Sequence, residues 1–189
     1  MALTGSATRY GTVAVWLHWL TAALVIAAYV VSPEGREARI YAPAADFDRT
    51  LHETLGLLVL ALTVLRLLWR AADRRPEATP VARWMRMASK AAHHLLYVLL
   101  IAVPVVAVFG AWYQGHPVTV FLWGDIAPPM AAARGLGNGL AETHGNIANV
   151  ILWLAGLHAA AALFHHYVLR DGVLSAMLPR LGKPADPQA

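Results

Sequence analysis

The stretch Glu142–His166, ETHGNIANVILWLAGLHAAAALFHH, decides the fold. It is apolar enough and long enough to cross a bilayer as one helix. It carries two histidines, His144 and His158, fourteen residues apart. Fourteen residues make close to four helical turns, so both imidazoles leave one face within about 40° and lie roughly 21 Å apart along the axis. That separation covers most of a hydrocarbon core about 30 Å thick. Two further histidines, His18 and His52, lie on other apolar segments.

The rest of the chain has the same character. Of its 189 residues 58% are apolar and 14% are charged, against about a quarter charged in soluble domains. The sequence is that of a membrane protein, its length fitting one small bundle. It has no cysteine. Disulfides, thiolate nucleophiles, cysteine-ligated iron–sulfur clusters, cysteine-type zinc sites and covalently attached c-type haem are therefore excluded. The pI near 9.8 points to membrane topology rather than nucleic acid, because the basic residues lie in loops beside apolar runs. The first apolar run, with His18 inside TrpLeuHisTrp, is wrong for a cleaved signal peptide.

Four apolar segments set the organisation: about 12–31, 51–69, 91–113 and 140–168. Each is long enough to span as a helix. Pro104 falls inside the third and removes one backbone donor there. Arg9, the six residues Arg70, Arg74, Arg75, Arg83, Arg86 and Lys90, and then Arg170, Arg180 and Lys183 lie on one side. Arg36, Arg39, Arg49 and Arg134 lie on the other. The positive-inside rule puts the first side, with both termini, in the cytoplasm. The expected fold is all-α: an integral membrane, antiparallel, up-down-up-down four-helix bundle, with residues 1–189 forming a single membrane domain. Trp16, Trp19, Trp69, Trp84, Trp112 and Trp123 fall near the expected helix ends and read as interfacial anchors. The Gly-, Pro- and Ala-rich 114–140 loop is expected to cap the outer face. The polar tail after Leu181 reads as disordered.

Orientation assigns depth to the histidines. Helices two and four enter from outside, so His52 and His144 are outer, while His18 and His158 are inner. The pairs that match in depth are His52 with His144 and His18 with His158. Neutral imidazole is a good iron ligand, and two axial pairs are what two b-type haems need. The bland alternative is four histidines hydrogen-bonding between helices, but polar groups at depth are costly and usually functional. Four histidines spread over two levels suit two axial pairs better than one tetrahedral zinc site.

Arg66 follows His52 by fourteen residues and shares its helix face, deep in the inner half. An arginine there needs an anion, and a haem propionate suits its bidentate fork. Snorkelling to the headgroups is the competing reading, and it is the preferred one for Arg70. His165 lies seven residues beyond His158, close to the same face, and could serve a quinone headgroup. His93 and His94 open the third helix at the same end and could line that pocket, although headgroup placement is their default. His166 reads as interfacial and His116 as solvated.

These residues resemble the bacterial cytochrome b561 family, four-helix di-haem proteins that include superoxide oxidase. The resemblance covers nearly the whole chain. It is carried by RYGTVAVWLHWL around His18, LHETLGLLVLALTVLRLLWR with His52 and Arg66, HHLLYVLLIAVPVVAV, and ETHGNIANVILWLAGLHAAAALFHHYVLRD around His144 and His158. It implies two non-covalent b haems with axial ligands at His18, His52, His144 and His158. It also implies a multi-pass protein of the bacterial inner membrane, passing electrons from superoxide at the periplasmic face to ubiquinone. The expected partners are lipid, ubiquinone and superoxide or a redox partner, with no nucleic acid, for a monomer. A competing function uses the same haems in a membrane-anchor cytochrome b subunit of a partner dehydrogenase. A third is a haem-free membrane protein such as a metal carrier. Superoxide is an anion and would be steered by positive potential, which makes the placement of Arg36, Arg39, Arg49 and Arg134 informative.

Overall fold

A computed structural model of the chain describes residues 3–6, 9–33, 35, 37–73 and 81–179. The tail beyond Leu181 lies outside them. Four long helices dominate: α1 (Thr12–Val30), α3 (Asp46–Ala72), α4 (Arg83–Gln114) and α5 (Arg134–Phe164). All four are long and apolar enough to cross a membrane. A short α2 (Glu37–Ile40) and a 3₁₀ turn (Pro43–Ala45) lead from α1 to α3. Helix α4 packs along α5, α1 along α3, and α3 joins the two pairs.

Three helices begin earlier than their apolar runs. Helix α3 starts at Asp46 instead of about 51, α4 at Arg83 instead of about 91, and α5 at Arg134 instead of about 140. Apolarity marks where lipid contact begins, whereas the hydrogen-bonded ladder also covers the polar turns projecting beyond it. In α3 the added turn brings Asp46 and Asp48 to the N-terminus, where the helix dipole favours negative charge. Helix α4 continues through Pro104 to Gln114.

The interior is thin, as expected where lipid rather than water surrounds the bundle. Val59, Leu100 and Ile151 form its centre, with Leu24, Val25, Leu99 and Val103 packed on them. Leu68, Val98, Trp153 and Leu157 all point outward. Buried hydroxyls are satisfied within their own helices: Thr63 donates to the Val59 carbonyl at 2.7 Å and Thr21 to that of Leu17 at 2.6 Å. At the end of α4 the chain passes α5 so closely that a Cβ on Gly137 would lie 2.6 Å from the Gln114 nitrogen.

The 114–140 connection is more ordered than a glycine-rich loop suggests. It holds an antiparallel hairpin, β1 (Val118–Val120) and β2 (Gly124–Ile126), with Thr119 opposite Asp125. The β-branched ValThrVal supplies one strand, and Leu122 (φ 68°) and Gly124 (φ 96°) turn the chain. The hairpin is fixed to α3: the Thr119 N–H donates to Glu53 at 2.6 Å and the Phe121 N–H to Thr54 Oγ1 at 2.8 Å.

At the opposite end α5 widens into a π turn (His165–Leu169) and stops at left-handed Arg170. Residues 171–178 then fold back toward α1. Arg9 donates to the Ser175 carbonyl, the Tyr10 N–H to that of Ala176, and the Trp19 indole to that of Met177 at 2.8 Å. Below, "hairpin end" and "terminal end" name the two ends of the bundle.

Candidate functional site

Helix spacing places His144 and His158 on one side of α5, and the packing brings a partner to each. At the hairpin end the His52 ring on α3 faces the His144 ring with centroids 5.9 Å apart and planes at 89°. At the terminal end His18 on α1 faces His158 at 6.3 Å and 81°. Metal–imidazole bonds are about 2 Å, so two rings on opposite sides of one iron have centroids about 6 Å apart. Both pairs have that spacing, and imidazole is an appropriate haem donor. The residues present fit two bis-histidine sites.

The hairpin-end pair is set for this role by its backbone partners. His52 Nδ1 lies 2.7 Å from the Ala28 carbonyl and His144 Nδ1 lies 3.0 Å from that of Val103. A carbonyl accepts only, so each Nδ1 carries the proton and each Nε2 keeps its lone pair for a metal. The terminal-end pair is different. His18 Nδ1 is buried with no hydrogen-bond partner. His93 on α4 approaches His158 to 5.1 Å, and its own Nδ1 donates to the Ser89 carbonyl at 2.6 Å. Three imidazoles thus gather at this end. His94 is held separately by the Lys90 carbonyl at 2.6 Å.

Arg66 reaches the same end of the bundle. Its guanidinium lies 5.4 Å from the Tyr97 ring centroid, and that of Arg70 lies 5.7 Å from the same ring. Among the described residues Arg66 has no carboxylate in an ion pair. Arg66, Arg70 and Tyr97 line one small cavity with Tyr10, Trp69 and the acidic Asp73, two guanidiniums against one carboxylate. Arg70, read from sequence as an interfacial residue, therefore shares a cationic cradle with Arg66. Such a cradle suits a carboxylate such as a propionate.

His165 carries its Nδ1 against the Asp171 carboxylate, and both side chains are largely buried. The sequence reading did not single out Asp171. Its only signal was a carboxylate six residues on, which acts only because the π turn reverses the chain.

His116 is not solvated, contrary to the sequence reading. It stacks on Tyr41 with centroids 3.5 Å apart at 11°, and its Nε2 lies 3.1 Å from Glu37 Oε1. Residues before α3 fold over the end of α4, which sequence spacing does not reveal. Burial, reinforced by Glu53, pushes the Tyr41 phenol up to about 12. Arg49 stacks over Tyr41 at 5.3 Å and is neutralised by Asp46 and by Glu53 at 3.1 Å. It is buried and adds little positive potential at the surface. Arg39 and Arg134 are exposed; Arg36 lies outside the described residues.

Among the described residues no three His, Asp or Glu side chains gather into a metal-sized cluster. The histidines meet as facing rings at two levels.

Residues 9–180 match the family described as prokaryotic cytochrome b561. The chain is 29% identical over 179 residues to cytochrome b561 homolog 2 of Escherichia coli K12, spanning 94% of this chain and 95% of the relative. It is 31% identical over 175 residues to the probable superoxide oxidase CybB of Yersinia pestis, spanning 91% and 97%. It is also 31% identical over 175 residues to cytochrome b562 of Cereibacter sphaeroides, spanning 89% and 94%.

Proposed function

This chain belongs to the prokaryotic cytochrome b561 family, and from that premise we propose that it carries electrons from superoxide at one membrane face to ubiquinone at the other. Membership makes it a haem-binding, electron-transferring oxidoreductase of the bacterial inner membrane, with four spans. The finer reading is ours. It assigns two non-covalent b haems, one between His52 and His144 and one between His18 and His158. It treats residues 1–189 as one membrane domain acting as a monomer.

The observation that carries this reading is the pair of crossed imidazole couples at 5.9 Å and 6.3 Å. Haem, when bound, supplies reversible one-electron chemistry. The chain's own residues do the rest. The Ala28 and Val103 carbonyls hold the hairpin-end rings in register. Arg66 offers positive charge to a propionate at the terminal end. This reading assigns His165 and His93 to a quinone headgroup, as sources of hydrogen bonds and protons. Both termini are assigned to the cytoplasm by the loop charges, so the hairpin end faces the periplasm and receives the donor. The name of the Yersinia pestis relative supports superoxide as that donor.

One observation favours a second reading. Arg49 is neutralised and buried, while Leu122 and Trp123 at the hairpin tip are each 91% exposed. An apolar tip beside a weakly charged surface suits docking of a redox protein better than steering of an anion. A membrane-anchor subunit serving a partner dehydrogenase would use the same haems.

The test is haem stoichiometry with reduced-minus-oxidised spectra on the parent, His144→Ala and His18→Ala. Two b haems in the parent and one in each variant are expected. A folded parent without haem refutes the reading. Stopped-flow mixing with superoxide then separates the two donors, since the anchor reading expects no fast haem reduction and requires co-purification of a dehydrogenase.

A further inference from the structure

The terminal end holds a buried acid–imidazole couple that the haem assignments leave unused. His165 sits seven residues beyond His158 on the same helix, a rise of about 10 Å. There α5 leaves α-geometry for a π turn, a form that recurs at functional positions. The widened turn and left-handed Arg170 bring Asp171 back onto His165. Asp171 is fixed from its other side: its Oδ1 accepts the Val173 N–H at 3.2 Å. The His165 and Asp171 side chains are only 18% and 12% exposed, so water screens the contact weakly. The flanking residues His166, Tyr167, Arg170, Gly172 and Ser175 line an open surface depression, to which His165 and Asp171 themselves do not contribute.

We propose that Asp171 is the positioning residue of a His165–Asp171 couple that delivers a proton to quinone as it is reduced. This rests on the quinone reading above and adds how the site manages protons. The Asp171 carboxylate accepts the Nδ1 proton of His165, which orients the ring and fixes which nitrogen exchanges protons with the substrate. Nε2 is then the proton-donating atom. Quinone takes two electrons and two protons to become quinol; haems held by the histidine couples would supply the electrons. His165 gives one proton from Nε2 to a quinone oxygen and regains one from water at this end of the bundle. The second proton comes by the same route. No other oxidant or reductant is required.

Asp171→Asn removes the charge and leaves one oxygen acceptor where Asp171 offers two, one to the Val173 N–H and one to the His165 ring. The experiment uses haem-loaded protein in detergent, reduced with stoichiometric dithionite, then mixed with decylubiquinone while haem reoxidation is followed. Asp171→Asn is expected to slow the maximal rate about tenfold or more at an unchanged half-saturating quinone concentration. Asp171→Glu should recover most of the rate, and haem spectra and dithionite reduction should match the parent. His165→Gly should be slow, and added imidazole should restore it only while Asp171 is present. A parent-like maximal rate in Asp171→Asn overturns the proposal. So does a rise in half-saturation alone, which would make Asp171 a wall of the pocket. If Asp171→Asn fails to fold, equal imidazole rescue in His165→Gly and in the carboxylate-free His165→Gly/Asp171→Ser overturns it. A parent whose haem is not reoxidised by decylubiquinone instead removes the quinone reading itself.

Discussion

The two histidine couples share a spacing and differ in what stands behind them. At the hairpin end each ring is backed by a carbonyl from a neighbouring helix, Ala28 for His52 and Val103 for His144. At the terminal end His18 Nδ1 is buried without a partner, and the couple is crowded by His93 and approached by Arg66. Backing carbonyls fix tautomer and orientation and raise ligand basicity, which favours the oxidised metal. Nearby cations favour the reduced one. On the di-haem reading proposed above, these surroundings would make the hairpin end the readier donor and the terminal end the better acceptor, a gradient running toward the proposed quinone site.

The strongest test of this comparison removes one member of each couple. His52→Ala should abolish the hairpin-end haem and leave the terminal-end spectrum intact; His158→Ala should do the reverse. Pyridine haemochrome assays should fall from two haems to one in each case, and loss of both from either variant would show that the sites do not assemble independently. Next in size is Arg66→Gln. One nearby charge, at an effective dielectric near 20, is worth on the order of 1–2 kcal/mol, or roughly 40–90 mV for one electron. Redox titration should show the terminal-end potential falling by that order while the other stays put. A smaller effect is expected from Thr54→Val, which leaves the Phe121 N–H without its acceptor. Its cost is about 1 kcal/mol, read as a modest loss of thermal stability with both haems retained.

The smallest effect concerns the cap over the hairpin end. The Tyr41 phenol is held up to about 12, so the folded protein keeps its proton where an unfolded chain has lost it. The stability this contributes is complete below about pH 10, the unfolded value, and disappears as pH rises to about 12. Ultraviolet titration should find one late-ionising tyrosine, and Tyr41→Phe should remove it.

Much of this arrangement follows from arithmetic on a helix. The fourteen-residue intervals from His144 to His158 and from His52 to Arg66 give side and depth directly, and the four apolar runs give the spans. The supporting shell does not follow in the same way. The Ala28 and Val103 carbonyls have no side-chain signature, since any residue offers a carbonyl. Tyr97 becomes a platform for two guanidiniums only through the way α3 and α4 pack. The stack of His116 on Tyr41 joins residues 75 positions apart through an irregular connection. Asp171 depends on a π turn that neither composition nor periodicity announces. Local periodicity reports which face a residue occupies; the partner across the gap is a property of packing.

Helix α5 contributes one ring to each couple, His144 to one and His158 to the other. It follows the other three spans among the described residues. A nascent polypeptide with only three helices inserted holds half of each couple and completes neither. Closure of both couples therefore waits on α5, and a chain clipped before that helix keeps one ring of each couple and closes neither.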